Sequence, residues 1–379
     1  MIDDQARFRE LRAEPSTDAP RDPARLARVE HTRAEMMTQG TAVAATLAAE
    51  RDATRTIAAR LAGRTLRRVI VTGCGDSWFV GQAARYAFEA TTGAAAEGIE
   101  ALDLAAYGSE AIDEASLVIG LSASGTTPAV VDALARSRRQ GAFTIGLCNR
   151  ANTPLQSQSD AGLVVHATRK GWPTQSSSAA IALLVALAIE IGRTGTPARR
   201  ERAEVMHRAL ADLPPRLDAL ALALDADASV LATRIADAGI VLVAGAGPHA
   251  VTAAFGAAKL RELGPIHAIA TPLEELHHYR AQKPGEALIL IAPDAASRAR
   301  ALDAAIVNKG VGGRMIAILG DSDAEIEARA LGRLIVPPAE AALAPILHGV
   351  AVHLLAYHFA IARAARGLGV HPPVTSPPA

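Results

Sequence analysis

The chain is written twice. Val69-Ile70-Val71-Thr72-Gly73-Cys74-Gly75 is an apolar run that enters a glycine turn, and Val241-Leu242-Val243-Ala244-Gly245-Ala246-Gly247 repeats the device 172 residues later, from Cys74 to Ala246. The same offset carries Leu117-Val118-Ile119-Gly120-Leu121 onto Ile289-Leu290-Ile291-Ala292-Pro293, and Thr144-Ile145-Gly146-Leu147-Cys148 onto Ile316-Ala317-Ile318-Leu319-Gly320. Three strand signals in one ungapped register predict two copies of one α/β domain. Between them lie alanine-rich helical segments such as Val80–Ala90, Pro128–Gln140 and Ala299–Lys309. Strands that alternate with helices predict parallel sheets covered by those helices. Ligands of such sheets sit beyond the carboxyl ends of the strands, so the turns after the strands are the places to look for chemistry.

A length of 379 residues leaves room for two or three domains. Residues 1–25, polar and carrying Pro15, Pro20 and Pro23, read as a loose arm, and Leu26 to about Leu61 reads as helical with Gly40 as its one breaker. The first domain is placed at 26–210 and the second at 211–366. Residues 367–379, with Pro372, Pro373, Pro377 and Pro378, predict an extended tail, because proline has no amide to donate. The 39 basic residues balance 39 acidic ones, so there is no basic excess of the kind that nucleic acid or an anionic membrane attracts. Two cysteines, Cys74 and Cys148, make no disulfide framework, and no Cys/His cluster suggests zinc; no cofactor or metal is expected. The acidic start Met1-Ile2-Asp3-Asp4 is no signal peptide, and Ile181–Ile191 is too short to span a membrane and is interrupted by Glu190. A cytoplasmic protein is expected.

Four motifs carry chemistry. Leu121-Ser122-Ala123-Ser124-Gly125-Thr126-Thr127-Pro128 follows a strand and opens a helix. Amides at a helix N-terminus and the helix dipole favour an anion, and hydroxyls at 122, 124, 126 and 127 would complete a phosphate cradle without a lysine. The plainer reading is a Ser/Thr N-cap on a glycine turn. The 172-residue offset sends Ser122, Ser124 and Thr127 to Asp294, Ala296 and Ala299, so the hydroxyls are expected to be missing from the second copy, which favours function over capping. Gly73-Cys74-Gly75-Asp76-Ser77 is either a tight strand–helix turn or a close backbone approach to a ligand with Ser77 as a donor. Trp78 stands where a dinucleotide fingerprint needs its third glycine, which argues against an NAD or nucleotide-sugar enzyme. Lys259-Leu260-Arg261-Glu262 precedes a helix stop at Gly264-Pro265, with His267 and Glu274-Glu275-Leu276-His277-His278 beyond it. Glu262 falls in the last helical turn, where the dipole disfavours a carboxylate and raises its pKa, a useful property in a proton-transfer base; a solvated helix end is the bland counterpart. Thr174-Gln175-Ser176-Ser177-Ser178 either caps the following helix or adds donors to a sugar.

Together these motifs resemble the sugar-isomerase (SIS) family, and within it the isomerase half of glucosamine-6-phosphate synthase and stand-alone phosphosugar isomerases, deaminases and deglycases. The resemblance rests on Gly-Cys-Gly-Asp-Ser, Ser-Ala-Ser-Gly-Thr-Thr, Lys-Leu-Arg-Glu with a later histidine, and Leu354–His358, and runs over about residues 30 to 373. It implies two tandem SIS domains, each a three-layer α/β/α sandwich of flavodoxin-like kind on a parallel sheet. It implies that Ser122, Ala123, Ser124 and Thr127 hold a sugar phosphate, with Cys74, Gly75, Ser77, Ser176, Lys259 and His267 at the same site. It implies that Glu262 moves a proton between C1 and C2 and that His278, 16 residues on, assists ring opening or proton delivery. A homodimer with the active site near the subunit interface follows from the same likeness.

The departures are informative. The second residue is Ile2, where the synthase has the nucleophilic cysteine of a glutaminase domain, and the chain is expected to lack that domain. No lysine follows Lys309, whereas the synthase ends on a lysine that helps open the sugar ring. Lys170 stands where relatives often carry an acid and Ser177 where they often carry a lysine. The expected function is aldose–ketose proton transfer on a hexose or amino-hexose 6-phosphate, with or without release of an amine. The alternative is a non-catalytic sugar-phosphate-binding regulator.

Overall fold

The computed structural model describes residues 3–11, 19, 21–108, 110–278 and 280–369. It contains two five-stranded, wholly parallel sheets. The first is built from β1 (Arg68–Gly73), β2 (Ala95–Glu100), β3 (Ser116–Leu121), β4 (Phe143–Cys148) and β5 (Ala161–Val164), ordered β2-β1-β3-β4-β5. The second repeats that order as β7-β6-β8-β9-β10, from β6 (Ile240–Gly245), β7 (His267–Pro272), β8 (Ala287–Ala292), β9 (Arg314–Leu319) and β10 (Gly332–Ile335). This is the flavodoxin-like order, and it reverses direction between β1 and β3.

Helices cover both faces. In the first half these are α1 (Asp4–Leu11), α2 (Pro23–Met36), α3 (Gln39–Ala49), α4 (Arg51–Leu61), α5 (Asp76–Thr92), α6 (Pro128–Arg139), α7 (Pro154–Ser157), α8 (Gln175–Arg193) and α9 (Pro197–Ala211), with a π-turn at Asp103–Tyr107. In the second they are α10 (Leu213–Ile235), α11 (Pro248–Leu263), α12 (Glu275–His278), α13 (Arg298–Gly310), α14 (Ala324–Glu327) and α15 (Ala344–Arg366). The arm is less loose than its composition suggests, because Asp3 accepts from the Gln5 and Ala6 amides at the start of α1. The expected helix over 26–61 is three helices, broken after Met36 and at Glu50 and not at Gly40. The proline-rich segment from 370 on lies outside the described residues.

Alternate strand residues divide the core. Val69, Val71, Leu117, Ile119, Val241, Val243, Ile289 and Ile291 face inward with α5, α8, α11 and α15 and form one apolar cluster that spans both halves. Ile70 and Val118 pack outward under α6, and Leu242, Leu288 and Leu290 under α13 and α14. Among the described residues two apolar helices are long enough to cross a membrane, Gln175–Arg193 and Ala344–Arg366; both lie in this shared interior, where 89% of the most apolar 18-residue stretch of each is buried.

The repeat offset shifts along the chain. Val69 pairs with Leu117 and Val241 with Ala287, so Leu117 corresponds to Ala287, an offset of 170 where the sequence suggested 172. The stretch from Ala268 to Ala287, both paired with Val241, is two residues shorter than that from Ala96 to Leu117, both paired with Val69. Because β3 and β8 are buried on both faces, their sequences are continuous apolar runs without alternation, and such a run can slide unnoticed. The counterparts of Ser122, Ser124 and Thr127 are therefore Ala292, Asp294 and Ser297, and the second copy keeps one hydroxyl.

With one core under both sheets, unfolding is expected to be a single transition. Circular dichroism and the fluorescence of Trp78 and Trp172 should report the same urea midpoint, and Phe359→Ala, which empties a fully buried site on α15, should lower the stability seen by both probes by about 3–5 kcal/mol. Two separated transitions would contradict the shared core.

Candidate active site

A cavity of about 150 Å³ opens at the carboxyl edge of the first sheet, beside the point between β1 and β3 where the strand order reverses. Three helices begin at its wall. Ser77 lies in the first turn of α5, Thr127 is the N-cap of α6, and Ser176 and Ser177 lie in the first turn of α8. Three positive dipole ends aimed at one space make a site for an anion.

The hydroxyls form a connected group. Ser122 Oγ lies 2.9 Å from Thr127 Oγ1 and 3.3 Å from Ser124 Oγ, and Ser124 Oγ accepts from the Thr126 amide and hydroxyl. Thr127 occupies the N-cap position, yet its side chain makes no capping bond. Its hydroxyl turns to Ser122 and the cavity, so capping does not account for this residue. Asn149, at the end of β4, also lines the cavity, and its buried Nδ2 has no acceptor within the protein. Arg169, from the loop after β5, completes the wall.

From Ser177 a polar chain leaves the cavity and crosses between the two halves. Ser177 Oγ donates to Asp76 Oδ2 (3.2 Å), which also takes Lys259 Nζ at 2.9 Å, and Lys259 in turn bonds Glu262. The Lys259 side chain is 0% exposed. Burial works against its charge, but Asp76 and Glu262 outweigh burial and hold its pKa above the ordinary lysine value. The Glu262 pKa is raised as well, here toward the neutral form: burial raises it against the pull of Lys259, and Asp76 adds to the rise. The direction is the one expected of a proton-transfer base, but its leading cause is burial and a second carboxylate, where the sequence had suggested the helix dipole.

Of the residues expected at the site, Cys74, Ser77, Ser122, Ala123, Ser124, Thr127 and Ser176 line the cavity. Gly75 does not; it supplies the positive φ of +56° that turns the chain from β1 into α5, a conformation L side chains rarely adopt. Lys259 is a buried link to Glu262 and touches no cavity wall. His267 starts β7 at its amino end, exposed, and His278 is 61% exposed on α12 beside Glu274 (3.7 Å). Both histidines stand on the outer surface of the second half, and neither lines the cavity of its own chain. Asn149, Arg169 and Asp76 escaped sequence reasoning, although Asn149 and Arg169 stand just past β4 and β5, where the strand-end rule points.

The pattern that defines the SIS domain matches residues 64–190 and 234–363. The chain belongs to the SIS domain family. A glutamine–fructose-6-phosphate aminotransferase (isomerizing) of Chlorobaculum tepidum is 28% identical over 303 residues, 78% of this chain and 48% of that protein. The chain spans about half the length of the curated relatives it matches. The solved C-terminal domain of the glucosamine-fructose-6-phosphate aminotransferase of Francisella tularensis superposes with a TM-score of 0.74 at 20% identity, over 89% of this chain and 96% of that one. The tagatose-6-phosphate ketose/aldose isomerase of Escherichia coli does so with 0.65 at 18% identity, over 91% and 95%. At these identities the two structures establish the SIS fold alone. Among the described residues no group of three His, Cys, Asp or Glu side chains is placed to hold a metal ion.

Cys74 offers a direct test of the cavity's electrostatics. Burial of the thiol and its bond to Glu100 (3.5 Å) push its pKa up to about 11. Iodoacetamide at pH 7.5 should therefore alkylate Cys74 far more slowly than free cysteine despite its exposure, and Glu100→Gln should speed the reaction; rapid labelling of Cys74 in the unchanged protein, read by mass spectrometry, would contradict this environment.

Proposed function

We propose that the chain catalyses proton transfer between C1 and C2 of a hexose or amino-hexose 6-phosphate. The observation that carries the reading is the joining of two unlike devices: a hydroxyl-lined anion cradle and, through Asp76 and Lys259, a carboxylate whose pKa is raised. The relatives named as isomerizing aminotransferases support the same chemistry.

The cradle takes the phosphate through the hydroxyls of Ser122, Ser124 and Thr127, the Ala123 amide and the unpartnered Asn149 Nδ2. Held there, the open-chain sugar presents its C1–C2 carbons to Glu262. The carboxylate removes the C2 proton of an aldose, which leaves an enediol, and returns a proton to C1. A second group shuttles the hydroxyl proton from O2 to O1, and the net change is the move of two hydrogens, one from C2 to C1 and one from O2 to O1. When an amine is present at C1 or C2, the same step yields an imine, and one water releases the amine. His278 supplies the second group from a second copy of the chain in a homodimer, consistent with its exposed place outside its own cavity. The binding energy of the phosphate, remote from the reacting carbons, positions them for this transfer.

Three outcomes test the scheme. Glu262→Gln should lower the exchange of the C1 or C2 proton in D2O, read by proton NMR, by about 10²- to 10⁴-fold while fructose 6-phosphate still binds. Binding with undiminished exchange would remove Glu262 from the chemistry. Ser124→Ala should weaken fructose 6-phosphate binding by about tenfold in calorimetry, the cost of one lost hydrogen bond to a charged group. Asp76→Asn removes a negative charge that raises the Glu262 pKa and leaves Lys259 with one carboxylate. Glu262 must be ionised to accept a proton, so the acid limb of the pH–rate profile should move to lower pH; a limb that stays in place would separate Asp76 from Glu262.

A further inference from the structure

Between β5 and α8 the chain leaves its own sheet and is held by other elements. The last ladder bond runs from the Val165 amide to the Cys148 carbonyl (2.8 Å). The His166 amide then donates to Thr46 Oγ1 on α3 (3.0 Å). Beyond it the amides of three consecutive residues turn to one face of α2. Those of Lys170 (2.7 Å) and Gly171 (3.3 Å) donate to the Glu35 carboxylate, and that of Trp172 donates to Thr32 Oγ1 (2.9 Å). Thr32 and Glu35, three residues apart, are neighbours on that face. Glu35 also accepts from Thr168 Oγ1 (2.8 Å). A Cβ on Gly171 would stand 2.3 Å from Thr32 Oγ1, so only glycine lets the loop lie this close to α2. The segment held in this way carries Arg169 and Pro173 of the cavity wall and runs directly into α8, whose first turn supplies Ser176 and Ser177.

α2 is a fixed platform for this loop. Arg33 bonds both oxygens of Asp225 on α10 (2.6 and 2.8 Å), Glu30 accepts from the Tyr357 hydroxyl on α15 (2.9 Å), and Arg25 donates to the Glu262 carbonyl at the end of α11. Val29 and Met36 share an apolar cluster with Trp172 of the loop and with Leu263 and Tyr357 of the second half. Glu35 is 5% exposed and does not line the cavity, so it can reach a ligand only through the loop. Hydrogen bonds to a carboxylate are about twice as strong as neutral ones, and here three of them converge on the four residues around Arg169.

We infer that Glu35 is a positioning residue for the proposed site: from its seat on α2 it fixes the loop that brings Arg169 to the wall of the hydroxyl cavity, and through that loop it sets the affinity for the sugar phosphate. The inference rests on the reading of the cavity given above. Glu35 itself touches no substrate. A glutamine there would put an NH₂ where a carboxylate oxygen now accepts, leaving a loop amide or the Thr168 hydroxyl without its acceptor.

A double-mutant cycle on the full chain tests this. Calorimetry gives the dissociation constants of fructose 6-phosphate and of inorganic phosphate for the parent protein, E35Q, R169Q and E35Q/R169Q. E35Q should weaken fructose 6-phosphate binding by about tenfold and R169Q by at least as much, whereas adding E35Q to R169Q should cost less than about twofold more. T32V, which removes the acceptor of the Trp172 amide, should give a smaller loss with the same dependence on Arg169, and it carries the test if circular dichroism shows that E35Q does not fold. In proton exchange the loss should fall on KM more than on kcat. A folded E35Q whose melting temperature drops while its affinity is unchanged overturns the inference, because Glu35 would then be structural only. An undiminished effect of E35Q in the R169Q background does so too. Exchange by the parent protein separates this role from the catalytic reading: coupled losses of phosphate affinity without exchange refute the catalysis and leave Glu35 in place, whereas exchange with no coupling does the reverse.

Discussion

The ammonium of Lys259 holds the candidate site together. It comes from α11 of the second half, is fully buried, and bonds Asp76 at the start of α5 in the first half and Glu262 one turn along its own helix. A lone ammonium there would cost several kcal/mol of lost hydration, so the charge is tolerated only while both acids stay within reach. That requirement couples the relative placement of the two sheets to the charge state of the site. One cation between two carboxylates cannot neutralise both, and Glu262 is driven toward its protonated form, chiefly by burial. The contact that joins the two halves is thus also the one that sets the charge around Glu262.

The duplicate half shows how one backbone supports two outcomes. Gly75 and Gly247 share nearly identical torsions, φ +56° and ψ −127° against φ +55° and ψ −126°, and each opens the helix after the first strand of its sheet. Past that turn the copies part. Ser77 corresponds to His249 and Ser124 to Asp294, and His249 Nε2 lies 2.9 Å from Asp294 Oδ2 while His348 packs edge-on against the His249 ring at 4.8 Å. Burial pushes Asp294 up, but hydrogen bonds from Ser297 and the pull of His249 outweigh it, so its carboxyl stays below the ordinary range. Burial lowers the His249 pKa. The Asp294 carboxylate thus stands where the first half carries Ser124, and Ser122 and Thr127 are replaced as well, by Ala292 and Ser297.

Much of this was legible in the chain itself, and the limits have physical causes. The glycine turns, the hydroxyl cluster after β3 and Glu262 at a helix end can be read locally because each is a short segment whose chemistry and conformation coincide. The repeat offset could not be read to the residue, because strands buried on both faces, such as Ser116–Leu121, carry no alternation to mark their register. Asp76 is one letter of a glycine turn in the sequence, and only the tertiary contact with a lysine 183 positions later gives it a role, as 259 less 76 shows. Asn149 and Arg169 lacked any motif; what they share is a place just after a strand. His267 and His278 carry the family's spacing, but spacing along a chain does not say which copy of a surface a side chain will meet.

The division between neutral and charged donors follows from the same electrostatics. A lysine in the cradle would bind phosphate well, yet it would sit on the far side of Ser177 from Asp76 and would draw on that carboxylate, loosening its hold on Lys259 and lowering the Glu262 pKa. Hydroxyls, an amide and helix N-termini would bind a phosphate with partial charges that fall off quickly with distance. The full positive charge in the cavity wall, Arg169, comes from the loop after β5, whose backbone Glu35 holds through the Lys170 amide. It stands outside the buried contact of Lys259 with Asp76 and Glu262.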